Sequence, residues 1–238
     1  MNDYNLHTFN NGIRLIHREI QSVVGHCGFT INTGSRDELD NQEGLAHFIE
    51  HMLFKGTNKR KAYQINSRLD EVGGELNAYT SKEEIVVYAS FLSNYFERAF
   101  ELLSDITFNS SFPEKELDRE REVIVDEINS YADSPSEQIF DDFEELIFPN
   151  QAIGKNILGT KKSLQSYTQE DIFSFINKCF NTDEIVISII GNIKFDKVMQ
   201  IASKYIESIP SNLRTWKRDN SPNYIKKKKT LKLSLIHI

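Results

Sequence analysis

The sequence is poor in the residues that build disulfide-linked or membrane-spanning proteins. Its 238 residues include two Cys, five Pro and one Trp. Two thiols cannot form a disulfide framework, and because Cys27 and Cys179 each stand beside apolar residues, we expect small buried thiols. No stretch of about 18 apolar residues occurs, and no basic region followed by an apolar run opens the chain. The sequence therefore predicts neither a membrane span nor a signal peptide, and we expect a cytoplasmic protein.

Charge is distributed unevenly along the chain. The formal net charge is -7, from 28 Lys and Arg against 35 Asp and Glu, yet residues 211–238 hold eight basic residues and a single acidic one. The body before them carries 20 basic and 34 acidic residues. An acidic body argues against a nucleic-acid duplex as partner and suits a neutral or cationic peptide. The four lysines at 226–229 lack interleaved aromatic residues, so we interpret them as solvated linker.

Strand-like and helix-like patterns alternate irregularly, which predicts an α+β fold rather than a regular doubly wound one. Alternating or β-branched runs predict strands at residues 12–17, 23–33, 85–92 and 184–190. Apolar residues at helical spacing, with Gly or Pro at several boundaries, predict helices at residues 43–54, 62–72, 94–107, 113–130, 135–146, 168–180 and 196–209. The sequence contains no internal repeat.

The composition changes near the end of the chain. Residues 1–210 are predicted to form one domain, and the polar residues 211–229 are predicted to be a linker. Residues 230–238 alternate like a strand and the sequence then stops. We expect this strand to open a second, truncated domain, so that the chain is the front part of a longer protein. The other interpretation is a last strand that pairs back onto the body.

The sharpest chemical feature is the pentapeptide His47-Phe48-Ile49-Glu50-His51. Positions four apart lie on one face of a helix, so the two histidines can place their imidazoles on one metal ion, and Glu50 shares that face. Two neutral imidazoles beside a carboxylate suit a catalytic zinc, whose water gives a proton to the carboxylate. Two histidines at this spacing also occur by chance on helices, so the pentapeptide alone leaves both interpretations open.

A catalytic zinc usually takes a third protein ligand, and the acidic helix predicted after Pro113 offers two candidates. Glu120 and Glu127 are seven residues apart, about two helical turns, so they share one face with Val123 and Ile124 between them. A carboxylate among apolar neighbours is poorly solvated unless it is paired, and a metal ion would supply the partner. We therefore predict Glu127 as the third ligand and Glu120 as an acid that orients a ligand or water.

Residues 44–57 resemble the signature of the pitrilysin-type (M16) zinc peptidases, a family that includes insulin-degrading enzymes and mitochondrial processing peptidase. The family motif is His-x-x-Glu-His followed about 76 residues later by a glutamate ligand, and Glu127 stands at that distance from His51. A second family acid precedes that ligand by seven residues, where this sequence has Glu120. The resemblance extends from about residue 12 to residue 210, with further matching stretches at residues 34–36, 73–81 and 120–128.

The resemblance implies a complete metal site within this sequence. His47, His51 and Glu127 would bind Zn2+, one ion per chain. Glu50 would be the general base that activates the zinc-bound water, and Glu120 would be the second catalytic acid that supports the site. These are the residues expected of a zinc metallopeptidase.

The same resemblance implies the architecture and the substrate. Family members have a mixed, largely antiparallel sheet flanked by helices, and two such α+β halves close like a clamshell around unfolded peptides. Asn77 and Ala78 correspond to the substrate-facing edge strand, to which an extended peptide adds by main-chain hydrogen bonds. The second half supplies an Arg and a Tyr for substrate binding, and we identify only the first half in this sequence.

We therefore expect a zinc-dependent endopeptidase that hydrolyses unfolded peptides or small polypeptides. The alternative is a non-catalytic or half-site subunit that needs a second M16-like half, covalent or separate, for activity. A relative that has lost its ligands is disfavoured, because all five metal-site residues are present. The remaining histidines are expected to be ordinary surface or core residues, namely His7, His17, His26 and His237.

Overall fold

The computed structural model of the chain describes residues 4–218. Within these residues, six strands form one sheet: β1 (Asn5–Thr8), β2 (Arg14–Glu19), β3 (Val24–Ile31), β4 (Glu75–Thr80), β5 (Ile85–Leu92) and β6 (Ile185–Gly191). The same residues form eight α-helices: α1 (Leu45–Leu53), α2 (Ala62–Asp70), α3 (Phe96–Phe108), α4 (Glu114–Ala132), α5 (Pro135–Ile147), α6 (Lys161–Leu164), α7 (Gln169–Cys179) and α8 (Phe195–Ile206).

The sheet is mixed but mostly antiparallel. Its strand order is β1-β2-β6-β3-β5-β4, so β4 forms one edge. In the described part of the chain, four of the five neighbouring pairs are antiparallel, and only β2 and β6 run parallel. The long connection that a parallel pair requires contains most of the helices. The predicted α+β class, with a mixed, largely antiparallel sheet flanked by helices, is confirmed.

The predicted elements correspond to observed ones, with boundaries that shift by a few residues. The strand predicted at residues 12–17 begins later, at Arg14, because Gly12 adopts a turn conformation with φ 95°. Residues 93–95 form a 3-10 turn before α3, so the helix predicted at 94–107 starts later. The sequence patterns missed β1 and α6, because four residues are too few to establish a period. They also missed β4, which is expected only from the resemblance to the M16 family.

The core lies on one face of the sheet. Side chains alternate along β3, where Phe29 and Ile31 are buried, and along β6, where Ile185 and Ile187 are buried. α3 packs on β3 and β5, and α8 packs on α3. α1 contacts both β4 and α4, so it lies between the sheet edge and the long helix.

Both thiols are buried, as the sequence predicts. Burial raises the pKa of the Cys27 thiol far above its ordinary value, and it raises the pKa of Cys179 to about 11. Neither thiol is therefore ionised at neutral pH. Over residues 4–218, no helix combines the length and the apolar composition that crossing a bilayer would require.

Residues 211–218 are the described part of the predicted linker. They contain no helix or strand, yet they are docked on the body. Trp216 donates from Nε1 to the carbonyl oxygen of Lys178 at 3.0 Å, and Arg218 forms two 2.7 Å hydrogen bonds to the carboxylate of Asp37. The rest of the linker and the strand predicted at 230–238 lie outside the described residues, so the domain division stays a prediction.

Two backbone segments meet where α1 begins. Gly44, the residue before α1, has φ 88°, and Gly159 has φ 69°. A Cβ added to Gly159 would overlap the carbonyl oxygen of Glu43, so only glycine permits this approach. The contact fixes the start of α1 against the segment that precedes α6.

Gly159→Ala is expected to destabilise the protein more than Gly73→Ala. Both glycines have φ 69°, so alanine at either position incurs the left-handed backbone cost of about 1–2 kcal/mol. A Cβ at Gly73 meets nothing within 4 Å, whereas a Cβ at Gly159 overlaps Glu43. The overlap adds about 1–3 kcal/mol. Urea denaturation measures both free energies of unfolding, and equal losses would contradict the assigned contact.

Candidate metal centre

α1 carries the His-x-x-Glu-His motif in a helix whose other side chains belong to the core. His47 is buried, whereas Glu50 and His51 are half-buried. The apolar residues hold the helix against the core, so the polar side chains are fixed on the side near α4 and β4. These apolar residues are Leu45, Ala46, Phe48, Ile49, Met52 and Leu53.

α4 supplies the acids that face α1. Glu120 is buried and Glu127 is half-buried. Glu127 Oε2 lies 3.7 Å from His47 Nε2 and 3.5 Å from His51 Nε2. One ligand atom from each of these three residues lies within 4.8 Å of the other two. The structure thus brings the three predicted ligands together.

The spacing of these atoms fits a zinc ion. Zinc bonds imidazole nitrogen and carboxylate oxygen at about 2.0–2.2 Å in tetrahedral geometry, which separates two ligand atoms by about 3.3–3.6 Å. The observed separations from Glu127 to the two imidazoles, 3.5 and 3.7 Å, are close to that range. Two imidazoles and one carboxylate also form a donor set that catalytic zinc sites use, with a fourth position left open. The residues present therefore fit the ion.

The two imidazoles differ in their affinity for protons. Burial and the neighbouring His51 lower the pKa of His47 to about 4, so its ring is neutral at pH 7 and offers a lone pair. Burial also lowers the pKa of His51, but hydrogen bonds to Glu120 and Glu127 outweigh it and raise the pKa to about 9. A metal ion must therefore displace a proton from His51 as it binds.

Glu120 contacts the Nδ1 atom of His51, whereas Glu127 lies near the Nε2 atom of the same ring. Glu120 Oε2 lies 3.1 Å from His51 Nδ1, and its Oε1 lies 2.5 Å from Lys55 Nζ. Burial raises the pKa of Glu120, but the hydrogen bonds to His51 and Lys55 outweigh it and the net shift is downward. With a proton on Nδ1, His51 keeps Nε2 available for a metal. Glu120 therefore contacts a candidate ligand and orients it.

Sequence reasoning did not single out Lys55, which pairs with Glu120 in the structure. The signal is present in the sequence, because Lys55 stands four residues after His51 and so follows it by about one helical turn. A lysine near a helix end is usually solvated, so its position alone does not indicate a role. Glu120 thus has two partners: one carboxyl oxygen contacts Lys55 and the other contacts His51.

Glu50 lies beside the candidate ligands and near the end of β4. Burial raises the pKa of its carboxyl group, and the neighbouring Thr80 partly offsets that rise. Thr80 is the last residue of β4, so Glu50 stands between the ligand cluster and the sheet edge. The side chain is half-buried and can therefore exchange a proton with water at the site.

β4 is an edge of the sheet next to the site. Asn77 pairs with Tyr88 and Ala78 pairs with Val87, both on β5. Among residues 4–218, no strand pairs with the other side of β4. The exposed Asn77 side chain accepts a hydrogen bond through Oδ1 from the N–H of Ala78 at 2.9 Å. An open edge of this kind can accept an added strand.

The other histidines do not join the cluster. His7 and His17 contact aromatic rings, and His26 Nδ1 lies 2.9 Å from Ser90 Oγ. Within residues 4–218, the group of side chains with metal-ligand spacing contains none of these three. His237 lies outside the described residues.

The sequence profile described as Insulinase (Peptidase family M16) matches residues 15–161, more than half of the chain. The chain belongs to the M16 peptidase family. The resemblance inferred from the motif is thereby confirmed. A second profile, described as Peptidase M16 inactive domain, matches residues 166–234.

Curated relatives of this M16 chain carry peptidase names. An uncharacterized zinc protease of Rickettsia felis is 37% identical over 208 residues, which cover 87% of this chain and 50% of the relative. The mitochondrial-processing peptidase subunit beta of Bos taurus is 35% identical over 192 residues, which cover 81% of this chain and 39% of the relative. The chain spans half or less of the length of these two relatives.

Solved structures of proteases share the fold. The periplasmic protease PqqL from Escherichia coli superposes with a TM-score of 0.85 at 20% identity, covering 92% of this chain and 25% of that protein. A protease from Helicobacter pylori superposes with a TM-score of 0.84 at 22% identity, covering 92% of this chain and 53% of that protein. At these identities the likeness concerns the α+β architecture alone.

Glu120→Gln is expected to lower the zinc affinity about 10- to 100-fold, because the neutral amide no longer holds the Nδ1 proton of His51 as a carboxylate does. Competition with a chromophoric chelator measures the affinity. Glu122→Gln removes an exposed acid from the same helix and is the matched control, with affinity unchanged. Equal affinities in the two variants would rule out the orienting role of Glu120.

Proposed function

We propose that this chain is the zinc-binding half of an endopeptidase that hydrolyses peptide bonds in unfolded peptides or small polypeptides. One observation carries the proposal: the side chains of His47, His51 and Glu127 converge beside the carboxyl group of Glu50, next to the open edge of β4. The names of the relatives, zinc protease and processing peptidase, support it.

Zinc is the metal we assign to the site, with one ion per chain. His47, His51 and Glu127 hold it, and Glu120 together with Lys55 keeps the ring of His51 in the ligating orientation. When bound, zinc acts as a Lewis acid toward a carbonyl group and lowers the pKa of a water molecule, which is the chemistry that amide hydrolysis requires.

Glu50 is the general base in this proposal. Its carboxyl group lies on the same face of α1 as His47 and His51, and its raised pKa makes it a stronger proton acceptor than an exposed carboxylate. Glu50 takes a proton from the attacking water as the oxygen bonds to the scissile carbon. It then gives that proton to the leaving amine when the carbon–nitrogen bond breaks.

β4 sets the class of substrate. A peptide that adds to this edge bonds through its main chain, which requires an extended and therefore unfolded segment. The substrate carbonyl oxygen replaces the Asn77 side chain as the acceptor for the N–H of Ala78. Because Thr80 lies near Glu50 at the end of the same strand, the added peptide runs past the base.

A second M16-like half, covalent or separate, completes the chamber in this proposal. The lengths of the relatives support it, since the chain covers only 50% and 39% of the two described above. The alternative is a half-site subunit that binds zinc without hydrolysing peptides by itself. Peptidase assays with and without the second half distinguish the two. The cytoplasmic location stays a prediction, which cell fractionation can test.

Glu50→Gln in the full-length protein is expected to keep zinc and to lower the rate of peptide hydrolysis by about 10²- to 10⁴-fold. Glutamine keeps the shape of the side chain but cannot accept a proton. Cleavage of a fluorogenic peptide and the metal content are measured on the same preparation, with Glu122→Gln as the active control. Full activity in Glu50→Gln would mean that the assigned base is wrong.

A further inference from the structure

A carboxyl group from outside α1 binds the first turn of the helix. The residue before α1 is Gly44, which has no side chain to cap the free N–H groups of a helix start. Glu38 supplies the acceptors instead. Its Oε2 accepts the N–H of Gly44 at 3.0 Å, and its Oε1 accepts the N–H of Ala46 at 2.8 Å. Both oxygens of one side chain thus bind the backbone that immediately precedes His47.

The two bonds restrict the motion of α1. The buried apolar side chains of α1 hold the helix against the core, and the bonds from Glu38 to residues 44 and 46 add a constraint on the position of its first turn. The bond lengths from a metal ion to its ligand atoms vary by only about 0.2 Å. A small shift of α1 would therefore move His47 and His51 away from the geometry that a metal requires.

Glu38 extends from a backbone that is itself held in place. The adjacent Asp37 is buried, and its two oxygens accept hydrogen bonds from the guanidinium group of Arg218, each at 2.7 Å. The N–H groups of residues 35–36 donate to the carbonyl oxygens of residues 81–82, in the turn between β4 and β5. The backbone that carries the Glu38 side chain is therefore fixed relative to the β4–β5 turn.

We propose that Glu38 is a positioning residue of the metal centre, which sets the placement of α1 so that His47 and His51 converge on Glu127. This inference rests on the proposed zinc-binding function. If Glu38 served only the stability of the fold, its replacement would lower the melting temperature and leave the metal geometry unchanged. The two roles therefore give different results.

The test uses Glu38→Gln in the full-length protein, because glutamine keeps the shape of the side chain but has one acceptor oxygen where two are needed. We expect the zinc affinity to fall about 10-fold, as it does when a partner of a metal ligand is lost. The visible absorption spectrum of the Co2+-substituted protein should also change, since it reports the ligand geometry.

Thr168→Ala is the matched control, because Thr168 caps α7 by accepting the N–H of Asp171, and α7 carries no candidate ligand. It should lower the melting temperature by about 2–4 °C and leave the zinc affinity and the Co2+ spectrum unchanged. If Glu38→Gln behaves in the same way, the positioning role is wrong and the proposed function stands. If the parent protein itself binds no zinc, both proposals are overturned.

Discussion

The imidazoles of His47 and His51 and the carboxylate of Glu127 can lie within a few ångströms of one another only when α1 and α4 are both held in place. α1 meets this condition because six of its nine side chains are apolar and buried, so the core fixes the helix that carries His47 and His51. α4 meets it through Leu117, Glu120 and Ile124, which are buried along its length. The contact between α1 and α4 is thus the constraint on which the site depends, and the sheet provides the base for it.

Around this contact, each polar partner acts on a different part of α1. Glu120 and Lys55 fix the ring of His51, near the end of the helix. Glu38 binds the backbone at the beginning of the helix. Near the middle, Glu50 stands between the ligand cluster and β4, where its carboxyl group is partly desolvated. In the proposed function, the groups that hold the metal are thus separate from Glu50, which transfers the proton.

The sequence predicts the ligand cluster well because its information is local. The two histidines share one face of a helix by their spacing of four, and the two glutamates share another by their spacing of seven. That the two faces meet does not follow from either helix alone. The prediction that they meet rests on the poor solvation of Glu127 and on the resemblance to the M16 family.

Other features could not be read from periodicity. Glu38 accepts hydrogen bonds from backbone N–H groups six and eight residues further along the chain. Such bonds cannot be predicted from a pattern of side chains, because every residue other than proline has a backbone N–H. Lys55 depends on the approach of α4 to α1, which is tertiary geometry. The position of β4 at the sheet edge depends on the strand order, and β1 is too short to establish an alternation.

The most direct test of this account is the zinc content of the purified protein after dialysis, measured by elemental analysis alongside His51→Ala. We expect about one zinc per chain in the parent and none in the variant, because two of the three ligands cannot hold the ion through dialysis. A folded parent without zinc, or equal zinc in the two proteins, would contradict the assignment of His47, His51 and Glu127 as a metal site.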